Sequence, residues 1–219
     1  AGVPKIYAYC STGNFHENTA KLYSDVGLFT ADPRITSEAT RVFSFLETKK
    51  APEAEFQHLG VGLFNLKEKF IYLVEREIEN AKNGLPAKMI LKMNNLEQKD
   101  MIELLYRAND SGVETQLIIR SVCSILTGKP GLSDNIHGLS ILDRFLEHSR
   151  IFYFFNNGEE EIFISSADWM ERNLHFRVET LIPIYDPQIK EIFKTLLQIQ
   201  LQDNVKARSL DYGKVNEYK

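Results

Sequence analysis

Cysteine is nearly absent from this chain. The two present, Cys10 and Cys123, sit in apolar, strand-like surroundings without the spacing of a metal site. That pattern excludes a disulfide-stapled secreted fold and points to buried thiols in a reducing cytoplasm. Blocks of like charge are also missing: 26 Lys and Arg against 30 Asp and Glu leave a net charge of −4. This balance argues against a general nucleic-acid or anionic-membrane binder, while leaving room for a local basic site that holds an anion. No apolar run is long enough to span a bilayer, and no secretory signal is read at the start. The stretch Gly128-Lys129-Pro130-Gly131 lacks the Walker spacing of a phosphate loop and reads as an ordinary loop. What the chain does have is apolar bulk. A hydrophobic content of 43%, with 14 Phe and 9 Tyr, is enough to bury a sizeable core and excludes disorder. Its 219 residues suit one large domain, or one domain and part of another.

Internal repetition favours the second arrangement. With Ser11 set on Ser165, a constant offset of 154 residues also brings Asn14 to Asp168, Phe15 to Trp169, Asp25 to Glu179, Asp32-Pro33 to Asp186-Pro187 and Ile35 to Ile189. A period of that size implies two related domains rather than a solenoid. The first copy would then begin well before Ala1, which predicts a C-terminal piece of a longer protein that starts inside its penultimate domain. The expected segments are the end of a first domain over 1–50, a linker over 51–58, a complete second domain over 59–208 and a polar, fraying tail over 209–219.

Along the chain, Lys5 to Cys10 and Leu22 to Thr30 read as strands. Asp32-Pro33 starts a helix, Asp as the cap and Pro at the first position. Ile35, Ala39, Val42, Phe43 and Leu46 follow at helical spacing. A second helix carries Leu63, Leu66, Phe70, Leu73, Val74 and Ile78 on one face, and Lys88 to Met93 reads as a strand. A helix from about Gln98 to Asn109 and a β-branched strand from Val113 to Ile119 come next, then strands at Ile136–Ile141, Arg150–Phe155, Glu161–Ile164 and Phe176–Tyr185. A last helix after Asp186-Pro187 presents Ile189, Ile192, Phe193, Leu196 and Leu197. Helices alternating with strands predict an α/β domain with a largely buried mixed sheet flanked by helices.

The order strand, Ser-x-x-(Asn/Asp)-aromatic turn, strand, Asp-Pro helix, used twice, resembles the phospholipase D superfamily. There two half-sites meet at a pseudo-twofold axis, each with a His ahead of such a strand. His148, in Arg144-Phe145-Leu146-Glu147-His148-Ser149-Arg150, has that place in the second half, although Arg150 stands where the superfamily has Lys. Longer blocks, STGNFHENTAKLYSDVGLFTADPRI, LIIRSVCS, RFLEHSRIFYFFNNG and SSADWMERNLHFRVE, resemble the two C-terminal domains of bacterial polyphosphate kinase. The resemblance covers Tyr7 to Arg208. It implies reversible transfer of the ATP γ-phosphoryl group to inorganic polyphosphate through a phosphohistidine, with Mg²⁺ held by a region upstream. It also implies ATP or ADP and polyphosphate as partners, no nucleic acid, a homo-oligomer in the full-length protein, and a cytoplasmic location with the inner-membrane surface as the alternative.

Carried over by residue, the resemblance makes Tyr23 and Arg120 nucleotide contacts and His148 the catalytic His of the second half-site. The phosphorylated His would lie ahead of Ala1. Arg150 and Arg172 are the further candidates for anionic oxygens, since phosphoryl transfer needs positioning and charge stabilisation above all. Asp168 and Asn14 are expected to orient other groups rather than touch substrate. Without the resemblance, Tyr23 reads as a core aromatic, Arg120 as a solvated strand end and His148 as a structural strand-edge histidine. His16, His58, His137 and His175 read as surface or structural, and Trp169 and Phe15 as packing beneath their turns. A phospholipase D-like phosphodiesterase or nuclease, and a non-catalytic oligomerisation module, are the alternatives.

Overall fold

The structure, a computed structural model, describes residues 5–213, 215 and 217–219; residues 1–4 of the expected first segment, and Lys214 and Asn216 of the expected tail, lie outside them. The first part of the chain holds β1 (Ala8–Ser11), β2 (Tyr23–Ser24), β3 (Gly27–Thr30) and α1 (Pro33–Thr48). Strands β1 and β3 form an antiparallel pair. The single strand expected over Leu22–Thr30 is broken because the Thr12 hydroxyl takes both the Val26 N–H (3.1 Å) and the Asp25 carboxylate (2.8 Å), which interrupts the ladder.

The second part runs β4 (Gly60–Val61), α2 (Leu66–Lys82), β5 (Lys88–Met93), α3 (Lys99–Asp110), β6 (Glu114–Ile119), β7 (Ile136–Ile141), β8 (Leu146–Glu147), β9 (Arg150–Phe154), β10 (Glu161–Ser165), α4 (Glu171–His175), β11 (Thr180–Pro183), α5 (Pro187–Leu201) and β12 (Ala207–Leu210). Eight strands make one mixed sheet in the order β12-β7-β6-β5-β9-β10-β11-β4. Strands β5, β6 and β7 are parallel, and the rest join antiparallel. The expected flanked mixed sheet is therefore the architecture found.

Both faces of the sheet are covered. Met89, Leu91, Met93, Leu117, Phe152 and Phe154 pack with Phe70 and Leu73 of α2 and Leu104 and Leu105 of α3. The alternate residues Ile90, Ile118, Ile151, Tyr153, Ile162 and Ile164 pack with Ile35 and Val42 of α1 and Phe193 and Leu197 of α5. Period-2 alternation with both sides apolar is the pattern of a sheet buried on two faces. Phe43 and Leu46 of α1 line an open apolar groove of about 660 Å³ with Tyr7, Tyr9 and Phe15, and Ile192 of α5 is exposed.

The helix starts behave as their sequences require. Asp32 accepts from the Arg34 N–H (2.9 Å), and Asp186 from the Gln188 N–H (2.8 Å). Replacing Asp186 by Ala is expected to cost about 1 kcal/mol of stability, read as a lowered urea midpoint with an unchanged slope.

Three differences from the sequence reading have physical causes. Part of the expected tail joins the sheet. β12 takes in Ser209 and Leu210, pairs with β7 and is itself bridged by Tyr218, closing an edge that would otherwise stand open. The linker is anchored rather than free: the Glu38 carboxylate of α1 accepts the N–H groups of Gln57, His58 and Leu59. Phe15 is 83% exposed, whereas its repeat partner Trp169 is fully buried against Phe70 and Phe152. The second turn packs on α2 and β9, whereas Phe15 meets the edge of Tyr9 on β1, at the rim of the open groove beside α1.

Candidate functional site

Four chain segments reach one end of the sheet. The carboxyl ends of β5 and β6 lie beside the start of β9 and the end of β10, because β9 and β10 run antiparallel to each other and β9 antiparallel to β5. In open α/β sheets, ligands bind in the crevice outside the carboxyl ends of parallel strands.

Asp168 is the fixed point. It leaves β10 in a turn held by Trp169, whose carbonyl accepts from the Glu97 and Gln98 N–H groups at 3.0 Å each. The carboxylate accepts from the Asn94 N–H (2.8 Å), the Asn95 side-chain amide (2.8 Å), and Arg150 Nε (3.0 Å) and Nη2 (3.3 Å). Both ions are nearly out of water, Arg150 at 8% and Asp168 at 5% side-chain exposure. Burial alone would push the Asp168 carboxyl up. The Arg150 charge and hydrogen bonds, with the two Asn donors, outweigh it and hold the group below the usual carboxylate range.

Arg150 then reaches further. Its Nη1 donates to the carbonyls of Thr12 (3.0 Å) and His148 (2.9 Å) and lies 3.0 Å from His148 Nε2. The partners of the Asn94 amide orient its oxygen toward Arg150, where it accepts from Nε (2.9 Å) and Nη2 (2.7 Å). All the guanidinium donors are taken by protein acceptors. Arg150, expected to contact phosphate, is turned inward here and directs its donors at the protein.

His148 sits on this support. Its Nδ1 is 2.8 Å from Asp25 Oδ1, and its ring stacks on Tyr23 at 4.7 Å between centroids and 29° between planes. A proton on Nδ1 donating to Asp25, with the Nε2 lone pair facing Arg150, satisfies both contacts. Burial would raise the Asp25 carboxyl, but hydrogen bonds from His148 and Thr12 and the charges of His148 and Arg150 bring it below its ordinary value. The parallel pair β2–β8 and the bond from the His148 N–H to the Ser24 carbonyl (3.1 Å) bring the two rings together.

Arg120, at the end of β6, faces the same group, its guanidinium carbon 5.9 Å from the Tyr23 ring centre. Burial and the neighbouring Arg150 charge both lower its pKa. Its Nη1 is shielded from solvent without a hydrogen-bond partner among the described residues. An unpaired, crowded guanidinium next to an imidazole and a phenol is a setting that an anion would relieve.

The structure therefore brings Tyr23, Arg120, His148, Arg150 and Asp168 together. It leaves two candidates outside. Asn14 is exposed and its side chain makes no hydrogen bond among the described residues. Arg172 is exposed on α4, its guanidinium near the Met170 sulfur at 4.0 Å. Sequence reasoning did not assign roles to Asp25, Thr12 and Asn94. The repeat did carry a signal for Asp25, since it aligned this acid with Glu179.

That alignment extends to individual hydrogen bonds. The Ser11 and Ser165 hydroxyls donate to the carbonyls of Val26 and Thr180 at 3.2 and 2.7 Å. The Thr12 and Ser166 hydroxyls accept from the N–H groups of Val26 and Thr180, both at 3.1 Å. Thr12 donates to Asp25, and Ser166 to Glu179. Asp25 also receives an imidazole, whereas the second Glu179 oxygen is taken by the Asn173 amide at 2.7 Å. Among the described residues, no three His, Cys, Asp or Glu side chains converge where a metal ion could sit.

Comparison with known proteins gives a consistent answer. Residues 59–219 match the family model described as polyphosphate kinase C-terminal domain 2, and residues 2–52 match polyphosphate kinase C-terminal domain 1. Polyphosphate kinase of Salmonella typhimurium is 44% identical over 212 residues, covering 97% of this chain and 31% of the relative. That of Vibrio vulnificus is 45% identical over 212 residues, covering 97% and 30%. The crystal structure of polyphosphate kinase from Porphyromonas gingivalis superposes with a TM-score of 0.93 at 46% identity, over 100% of this chain and 34% of that one. The chain spans about a third of the length of the relatives it matches.

Proposed function

The chain belongs to the polyphosphate kinase family, and from that premise we propose that it forms part of an enzyme that moves the terminal phosphoryl group of ATP to and from inorganic polyphosphate. The observation that carries the reading is the convergence of Arg120, Tyr23 and His148, from three separate stretches, around a guanidinium with an uncommitted donor. Tyr23 and Arg120 would hold the nucleotide and its phosphates. His148, held through Nδ1 by Asp25, would meet the phosphate oxygens through Nε2 once that nitrogen gives up its contact with Arg150. Arg150 and Asp168 would act by fixing His148.

The phosphohistidine step is assigned to an imidazole upstream of Ala1. Its nitrogen would attack the γ-phosphorus as the bond to the ADP oxygen breaks, and the terminal oxygen of polyphosphate would then take the phosphoryl group from nitrogen. The Ser166–Glu179 pair supports this. It reproduces the Thr12–Asp25 pair that orients His148, with the Asn173 amide where Asp25 receives the imidazole. Mg²⁺ when bound would neutralise phosphate charge, and its ligands are assigned to the upstream region. Homo-oligomerisation and a cytoplasmic location are part of the same reading; no helix of the described residues is long and apolar enough to cross a membrane. Hydrolysis of a phosphodiester is the less favoured reading, because Arg150, in place of the Lys of such enzymes, has its donors occupied within the protein.

This chain by itself is expected to bind tripolyphosphate and ADP without making polyphosphate from ATP. Charge-assisted hydrogen bonds contribute about 1.5–3 kcal/mol each. Replacing Arg120 and His148 together by Ala should therefore weaken tripolyphosphate binding by at least about 10-fold in calorimetry. Equal affinity of wild type and the double variant would remove both residues from the site.

A further inference from the structure

His148 follows an exposed stretch. Leu142 through Leu146 all face solvent, and β8, only two residues long, has two ladder positions with which to place what comes next. The segment has no apolar anchor of its own, yet the imidazole it carries is held between Asp25 and Tyr23. The anchor is an ion pair that the site described above does not use, its lysine buried and its glutamate side chain 21% exposed. Lys92, on β5, is 2% exposed and points to the α1 and α5 face of the sheet, the face on which Ile90 packs. Its ammonium donates to Glu147 Oε2 (2.9 Å), the Ser149 carbonyl (3.1 Å) and the Ser149 hydroxyl (2.9 Å). Three donors meet three acceptors, so the group is fully satisfied.

The residues it grips flank His148 on both sides. Glu147 also accepts from Gln200 of α5 (2.9 Å) and from the Ser24 hydroxyl of β2 (3.5 Å). The carboxylate thereby joins the central strand, the last helix and the strand that carries Tyr23 toward the histidine. The Glu147 carbonyl accepts from the oriented Asn94 amide at 2.9 Å.

A Lys–Glu pair whose ammonium is buried is a poor way to gain stability. Desolvation offsets most of the attraction, and an apolar pair of the same volume commonly does as well or better. Burial pushes the Lys92 ammonium down from its ordinary pKa, against the pull of Glu147. What the pair supplies that an apolar pair cannot is direction: three hydrogen bonds of fixed geometry on the residues before and after one side chain. We propose that Lys92 and Glu147 are positioning residues, a clamp built on a buried ammonium that fixes the backbone on either side of His148 and so holds its imidazole against Asp25 and Tyr23. The proposal rests on the assignment of His148 to the phosphate site. Misplacement of a reacting group by 1 Å costs about 10²-fold in rate, which is the scale on which such a clamp matters.

The test uses this chain with ¹³C-labelled histidine, the His148 signals being assigned by their loss in His148→Gln. Stacking on Tyr23 displaces the carbon-bound ring protons of His148 by ring current. In Lys92→Met and in Glu147→Gln that displacement is expected to be lost, while Glu77→Gln retains it. Glu77 is a more deeply buried acid, accepting from the Lys88 and Asn156 N–H groups at 3.1 and 2.7 Å at the other end of the sheet, so it reports general loss of stability. A displacement retained in both clamp variants overturns the proposal. Should Lys92→Met fail to fold, Glu147→Gln decides by the same criterion. Failure of the phosphate-site assignment reads differently: tripolyphosphate would then bind wild type without moving the His148 signals, whatever the clamp variants show.

Discussion

Replacing Asp168 by Ala is expected to destabilise the folded chain by about 3–5 kcal/mol, the usual cost of removing one partner of a buried ion pair. The reason is what remains. Arg150 would keep its charge at 8% side-chain exposure while losing its carboxylate, and the Asn94 N–H and Asn95 amide would lose their acceptor in the same step. Urea unfolding followed by the fluorescence of Trp169, the neighbouring residue and the single tryptophan, measures the change directly. The double variant Asp168→Leu with Arg150→Met is expected to recover part of the loss, because an apolar pair leaves no charge stranded. A single variant within about 1 kcal/mol of wild type would mean that water reaches Arg150. The pH dependence has a definite sign. Asp168 has a folded pKa below its unfolded value of about 3.9, so its contribution is complete above the unfolded pKa and is lost as the pH falls through the folded one. The loss belongs to the acid limb and is absent near neutrality.

The same pair shows where sequence reading works and where it stops. The α1 and α5 helices were legible because each Asp-Pro start has a local cause, a cap and a preset φ, and because the apolar periodicity continues for four turns. β5, β6 and β9 were legible because a strand buried on both faces is an apolar run. β4 and β8 were not, since two residues have no periodicity and become strands only by pairing with Thr180–Leu181 and Tyr23–Ser24. The closing strand was hidden for a similar reason: Ala207–Leu210 is polar enough to look loose until β7 offers it an edge. Tyr23, Arg120 and His148 were singled out through a resemblance spread over long blocks, and their isolated settings would have read as core, strand end and strand edge. Arg150 was legible as a basic residue near the site but not as one turned inward, because its orientation depends on Asp168, Thr12 and Asn94, residues 18, 138 and 56 positions away. Asp25 was visible only as a repeat partner of Glu179. Nothing local to its strand says that an imidazole 123 residues later will rest on it.

On the proposed function, Arg120→Ala in a polypeptide carrying both half-sites is expected to slow phosphoryl transfer by about 10³-fold or more, the range over which a single arginine stabilises such transition states. Charge on the transferring group spreads over its outer oxygens as the bond to the leaving oxygen lengthens, and a guanidinium can meet two of them at once. Arg120 is suited to this because its Nη1 has no partner to give up among the described residues and because Arg150 crowds it with like charge. Lys in its place would restore the charge but not the fork, so Arg120→Lys is expected to recover only a small part of the rate. The rate should fall more than the affinity for ATP does, since a contact that strengthens only in the transition state lowers kcat and kcat/KM together. Single-turnover transfer from radiolabelled ATP measures the step without product release, and Lys99→Ala, on an exposed pair with Glu103, serves as the comparison. A rate for Arg120→Ala within about threefold of wild type would place the developing charge elsewhere. The convergence at the end of the sheet would then be a nucleotide contact alone, with the transition state stabilised from the other half-site.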